Sequence, residues 1–118
     1  IPVAILAARK GDVILVENPE VHLHPQAQQS IGTLLALVAS SGVQIVVETH
    51  SDHVLNGIRL AAKSKVIPAD DVAVHFFSPA QAGGEYAPRS PKLDADGRLD
   101  AWPEGFFDQF DLALSKLL

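Results

Sequence analysis

Two strand-length stretches of this chain each carry an apolar run, and they constrain its fold more than any other feature. Residues 12–17, DVILVE, and 43–48, VQIVVE, are each of strand length and rich in β-branched residues. A strand with one wet face alternates apolar and polar side chains. A continuous run is expected of a strand covered on both faces, as in a parallel sheet. Parallel neighbours need a crossover, and the residues between the two runs supply one. Pro25 suits a first helical position, Ile31, Leu34, Leu35 and Val38 form a stripe at spacings of three and four, and Gly42 is a stop. These signals predict a helix over 25–41. A second helix is expected over 51–64, capped by Ser51 or Thr49, with Val54, Leu55, Ile58 and Ala62 as its stripe. A short helix over 2–10, ended by Gly11, precedes the first strand, and 71–77 reads as a third strand. The order strand, helix, strand, helix, strand predicts an α/β layered fold with right-handed crossovers.

After Phe77 the character changes, because residues 78–101 are rich in Gly, Pro and Asp. Asp94-Ala95-Asp96-Gly97 reads as a tight turn between two short strands. Asp94, Asp96 and Asp100 are close enough in sequence to bind a divalent cation, but a turn explains them better. Residues 103–118 read as a closing helix with Phe106, Phe107, Phe110, Leu114 and Leu117 apolar. The expected organisation is therefore an α/β portion over 1–77 and an appended β-hairpin plus C-terminal helix over 78–118.

Both apolar runs end in polar clusters. The first is Glu17-Asn18-Pro19-Glu20-Val21-His22-Leu23-His24-Pro25 and the second is Glu48-Thr49-His50-Ser51-Asp52-His53. Sites in open α/β sheets gather at the carboxyl ends of the strands. If the strands are parallel neighbours, Glu17, Glu20, His22, His24 and His50 surround one crevice. A carboxylate there can hold Mg²⁺ through oxygen or water, and a second can polarise an attacking water. Taken singly, each residue has a plainer reading. Glu17 is as well explained as a helix-dipole partner, Asn18 as a turn residue, and Asp12 and Asp52 as solvated or capping groups. Two such clusters at successive strand ends shift the balance toward a site.

The chain carries a formal net charge of −5 and no Lys/Arg-rich run, so it lacks the electrostatic footprint of a nucleic-acid binder. It has no cysteine, which excludes disulfides and thiolate zinc sites and fits a reducing compartment. No apolar run is long enough to span a membrane. Its 118 residues, 47% of them hydrophobic, suffice for about one domain. The chain starts at Ile1 and contains no methionine, so residues upstream of Ile1 are expected.

The segment ILVENPEVHLHPQ resembles the Walker B strand and following loop of ABC-like ATPases. The variant is the one found in SMC/RecF-like ATPases and in relatives of the overcoming-lysogenization-defect nucleases. IVVETHSDHVLN is similar to their switch-histidine loop, and DGRLDAWPEGFFDQ resembles a C-terminal domain of unknown function on one branch of bacterial AAA-type ATPases. The resemblance implies the C-terminal half of a cytoplasmic P-loop NTPase core that uses ATP and Mg²⁺. A homodimer is implied for the full-length protein, and nucleic acid is a possible partner through it. By position, Glu17 corresponds to the acid that holds Mg²⁺ through water, His24 to the loop that crosses the dimer interface toward nucleotide, and His50 to the histidine at the γ-phosphate. Asn18 stands where such ATPases carry their catalytic glutamate. An amide cannot accept a proton, so Glu20, two residues on, is the candidate for water activation.

No GxxxxGK[ST] motif occurs, and Gly83-Gly84 is followed by Glu85 rather than lysine. Without that phosphate cradle the chain alone is expected not to hydrolyse ATP. Two alternatives accompany the ATPase reading. One is a degenerate ATPase acting as a nucleotide-dependent clamp, marked by Asn18. The other is a metal-dependent hydrolase using His22, His24, His50, Asp52 and His53.

Overall fold

A computed structural model describes residues 5–77 and 89–100. Strands β1 (Val13–Glu17) and β2 (Gln44–Glu48) pair in parallel, joined by helix α1 (Pro25–Ser40). Helix α2 (Asp52–Lys63) follows β2, and a 3₁₀ turn spans Ala69–Asp71. The result is a mixed α/β fold, as expected for part of a P-loop NTPase-like core. The register runs from Val13 opposite Gln44 to Glu17 opposite Glu48, so both strands end level with one another.

Alternation along the strands sorts their side chains between two faces. Ile14, Val16, Ile45 and Val47 face α1 and pack with Ile5, Ile31, Leu34, Leu35 and Val38. This is the α1 stripe that the spacing predicts. Among the described residues nothing covers the other face, where Leu15 is 77% exposed, Val13 60% and Val46 52%. The runs are apolar on both sides, as a strand buried on both faces requires, yet the described chain packs only one of them.

α2 packs on α1, and the two helices run in the same direction. Gln28 meets Ser51 near their N-termini, and one turn on Gly32 and Gly57 lie at a close crossing. A Cβ at Gly32 would sit 2.1 Å from the Val54 carbonyl oxygen, and one at Gly57 would sit 2.1 Å from that of Gln29. Only glycine permits so near an approach of two backbones. Further along, Ala36, Ala61 and Ala62 form a second core with Ile67 and Leu93.

Capping follows the sequence closely. Ser51 begins α2 and its hydroxyl accepts from the Val54 N–H at 3.2 Å. α2 ends in a Schellman arrangement, with Lys65 N–H donating to Ala62 and Val66 N–H to Ala61. Lys65 there takes a φ of 65°, a conformation usually given to glycine.

Three expectations need correction or limits. The helix over 2–10 is helical only at Ile5 and Leu6 among its described residues, and the chain has already turned at Ala7. Arg9 N–H instead donates to the Asp12 carboxylate at 2.8 Å. Residues 71–77 form no third strand of the sheet. Pro68 leads into the 3₁₀ turn, and the extended segment after it makes a single antiparallel bridge, Phe76 to Arg89. Its alternation of half-buried Val72, Val74 and Phe76 with exposed Ala73, His75 and Phe77 suits a one-sided segment, not a central parallel strand. The helix expected over 103–118 lies outside the described residues.

The turn at Asp94–Gly97 forms as read. Leu93 bridges Leu99 in antiparallel fashion, and Gly97 takes a φ of 77°. The Asp94 carboxylate accepts from the N–H groups of Asp96 and Arg98, both at 2.9 Å. That of Asp100 accepts from Lys92 N–H at 2.8 Å. The Asp94 and Asp100 carboxylates thus serve the hairpin. Arg59 of α2 donates to the Gly97 carbonyl at 2.7 Å and fastens the hairpin to the helix.

Candidate functional site

Parallel pairing brings the carboxyl ends of β1 and β2 side by side, and with them the two polar clusters. Glu17 and Glu48 are register partners, so their carboxylates emerge together on the uncovered face, and both residues are exposed. The sequence reading singled out Glu17 but not this partnership. The signal was present, since both runs end in glutamate.

Past Glu17 the chain turns through two left-handed residues, Asn18 at φ 48° and His22 at φ 65°. Asparagine tolerates that region better than most residues do. Asn18 N–H continues the ladder by donating to the Glu48 carbonyl at 2.8 Å. Its side-chain Oδ1 is buried without a hydrogen-bond partner. An unmatched buried acceptor is costly unless a water or ligand donor completes it.

Glu20 bridges the two loops. Thr49 Oγ1 donates to its Oε1 at 2.6 Å, and the His50 backbone N–H donates to its Oε2 at 3.0 Å. Burial pushes the Glu20 carboxyl up, but the bonds from Thr49 and His50, with the His50 imidazole nearby, outweigh it and hold the group below its ordinary value of 4.5. A second bridge lies behind the first. Ser51 N–H donates to Thr49 Oγ1 at 3.0 Å, and Ser51 Oγ donates to Gln28 Oε1 at 2.5 Å. Gln28 Nε2 then donates to the Leu23 carbonyl at 2.7 Å. Two side chains of the first segment, Glu20 and Gln28, therefore hold the second loop. Sequence reading missed Gln28, because a glutamine in a first helical turn carries no distinctive spacing.

The histidines have separate surroundings. His24 is the N-cap of α1, its Nδ1 accepting from Ala27 N–H at 3.4 Å. His53 lies 3.6 Å from Asp52, its neighbour in the chain. His22 and His50 are exposed. Among the described residues no group of three or more His, Asp or Glu side chains is placed to hold a metal ion. The metal-dependent hydrolase alternative thus finds no such cluster among the described residues.

No helix among the described residues is long and apolar enough to cross a membrane. Residues 67–117 match the family described as a protein of unknown function (DUF3696). The Old nuclease of Escherichia phage P2 is 33% identical over 48 residues, which cover 41% of this chain. The chain spans 8% of that relative's length. No solved structure matches. Residues 1–56 match the family described as AAA domain, putative AbiEii toxin, Type IV TA system, so the segment that carries β1, α1 and β2 is similar to an AAA-type ATPase domain.

Proposed function

We propose that this chain supplies the metal-binding and γ-phosphate-sensing edge of an ATP-hydrolysing site whose phosphate cradle is provided by other residues of the same assembly. The observation that carries the reading is the level parallel ending of β1 and β2, which joins ENPEVHLHP and ETHSDH in one place. In this reading Glu17, with Glu48 beside it, holds Mg²⁺ through its water shell. The ion when bound would neutralise charge on the phosphates. The exposed His50 imidazole is the donor toward the γ-phosphate. His24, at the start of α1, faces the nucleotide of a second copy across a homodimer. Glu20 is the sequence candidate for water activation, but its two oxygens already accept from Thr49 and His50.

Asn18 favours a second version of the same reading. An amide beside the Glu17 position takes no proton, so the assembly would bind ATP and act as a nucleotide-dependent clamp with slow turnover or none. Nucleic acid would be reached through the rest of the protein, since this chain is acidic and shows no basic stripe.

The test uses the protein that carries this chain together with a glycine-rich phosphate loop. Mg²⁺-dependent ATP binding and turnover are measured for wild type, Glu17→Gln and His50→Ala. The proposal expects loss of Mg²⁺ dependence in the first and a large fall in turnover in the second. Wild-type ATP binding without turnover selects the clamp version. Multiple turnovers by the 118-residue chain alone, unaffected by either change, would refute both.

A further inference from the structure

We infer that Glu20 and Gln28 form a two-point latch that sets the position of the His50 loop, with Glu20 acting as a positioning residue and not as the group that takes a proton from water. The inference rests on the ATPase reading for its consequence but on geometry for its substance. A group that activates water needs a free, basic oxygen directed into the crevice. Each Glu20 oxygen instead accepts a donor from the loop after β2, Oε1 from the Thr49 hydroxyl and Oε2 from the His50 N–H. Those two bonds fix the backbone on either side of the Thr49–His50 peptide, and so they fix where the exposed imidazole starts.

Gln28 completes the arrangement from the other side. Its amide oxygen receives the Ser51 hydroxyl while its amide nitrogen returns to the Leu23 carbonyl within the first loop. Thr49 links the two halves, donating to Glu20 and accepting from Ser51 N–H. The chain of contacts runs from Glu20 through Thr49 and Ser51 to Gln28 and back to Leu23, closing a ring across both strand-end loops. A change at either loop is therefore felt at the other, which is what a site shared between a metal-holding loop and a phosphate-sensing loop requires.

The experiment has two arms. In the first, amide hydrogen exchange of the isotope-labelled 118-residue chain is followed by NMR for wild type, Glu20→Ala, Glu20→Gln and Thr49→Val. The latch predicts at least tenfold faster exchange at His50 in Glu20→Ala. It predicts a smaller acceleration in Glu20→Gln, whose single acceptor oxygen retains one of the two bonds. Thr49→Val should also speed exchange at His50, while amides of β1 and α1 keep their wild-type rates. An unchanged His50 rate in Glu20→Ala overturns the latch. If Glu20→Ala fails to fold, Thr49→Val, which removes only the hydroxyl, decides the point.

In the second arm, ATP turnover of the complete assembly is compared for Glu20→Gln and Thr49→Val. Positioning predicts that both lower kcat with KM little changed. Wild-type turnover in Thr49→Val beside an inactive Glu20→Gln would make Glu20 the base and overturn the positioning role. If Glu17→Gln and His50→Ala also turn over normally, the ATPase reading fails, and the exchange arm still judges the latch by itself.

Discussion

Replacing Gly32 by alanine tests whether the close crossing of α1 and α2 holds the site together. The added Cβ would lie 2.1 Å from the Val54 carbonyl oxygen and 3.2 Å from the Gly57 Cα. A carbon and a carbonyl oxygen in contact need about 3.3 Å, so the helices must part by about 1 Å. Both obstacles are backbone, and neither can swing aside as a side chain would. Overpacking of this kind costs up to about 3 kcal/mol, and alanine returns about 1 kcal/mol of helix propensity, leaving a net loss of about 2 kcal/mol. At roughly 2.1 cal/mol/K per residue of unfolding entropy, that lowers the melting temperature by about 8 °C. Calorimetry or circular dichroism of the chain measures it, with Ser30→Ala on the exposed side of α1 as a propensity control expected within about 0.5 kcal/mol of wild type. Gly57→Ala should behave like Gly32→Ala, and the double variant should fall short of the sum because both report one crossing. A melting temperature raised by Gly32→Ala, as bare propensity requires, would refute the account. The same separation would pull Gln28 from Ser51, one turn nearer the site, so faster Ser51 exchange should accompany the loss.

Other outcomes follow from the same structure. Because Glu20 is held below its ordinary value of 4.5, its stabilising contribution is complete above that pH and disappears as the pH falls through the lower folded value. Urea midpoints across roughly pH 3 to 6 should therefore drop more steeply with acid in wild type than in Glu20→Gln, and parallel curves would remove the carboxylate from the latch. Lys65→Gly relieves a left-handed lysine at the end of α2 and should stabilise by up to about 1 kcal/mol in thermal unfolding. Leu15→Lys, on the uncovered strand face, should leave the unfolding free energy of the described fold within about 0.5 kcal/mol of wild type, whereas Val16→Ala on the packed face should cost about 2 kcal/mol.

The elements that could be read from sequence were those whose signals are local. The two strands declared themselves through continuous β-branched runs, α1 through Pro25, its stripe and Gly42, and the hairpin through Asp94 and Gly97. Residues 71–77 misled because Val72, Val74 and Phe76 have strand propensity. Pairing is decided by what lies alongside, and the segment meets Arg89 rather than β2. The site was half legible. Strand-end logic brought Glu20 to the His50 loop, but not the form of the contact, since a carboxylate that binds a loop and one that activates water look alike in sequence. Gln28 became visible only with the helix crossing, and the pairing of Glu48 with Glu17 only with the register, although both runs visibly end in glutamate. His24 was read toward nucleotide, whereas the structure also gives it work as a helix cap.

The most direct test of the central claim, that the two strand-end clusters form one metal and nucleotide edge, is paramagnetic broadening by Mn²⁺ and ATP of this segment, isotope-labelled within the protein that also carries the phosphate loop. Mn²⁺ shares the oxygen preference of Mg²⁺ and erases signals close to it. The account predicts loss centred on Glu17, Asn18, Glu48 and His50, abolished by Glu17→Gln, with the hairpin around Asp94–Asp100 unaffected. Broadening centred on that hairpin, or spread evenly over the acidic surface and indifferent to Glu17→Gln, would contradict it.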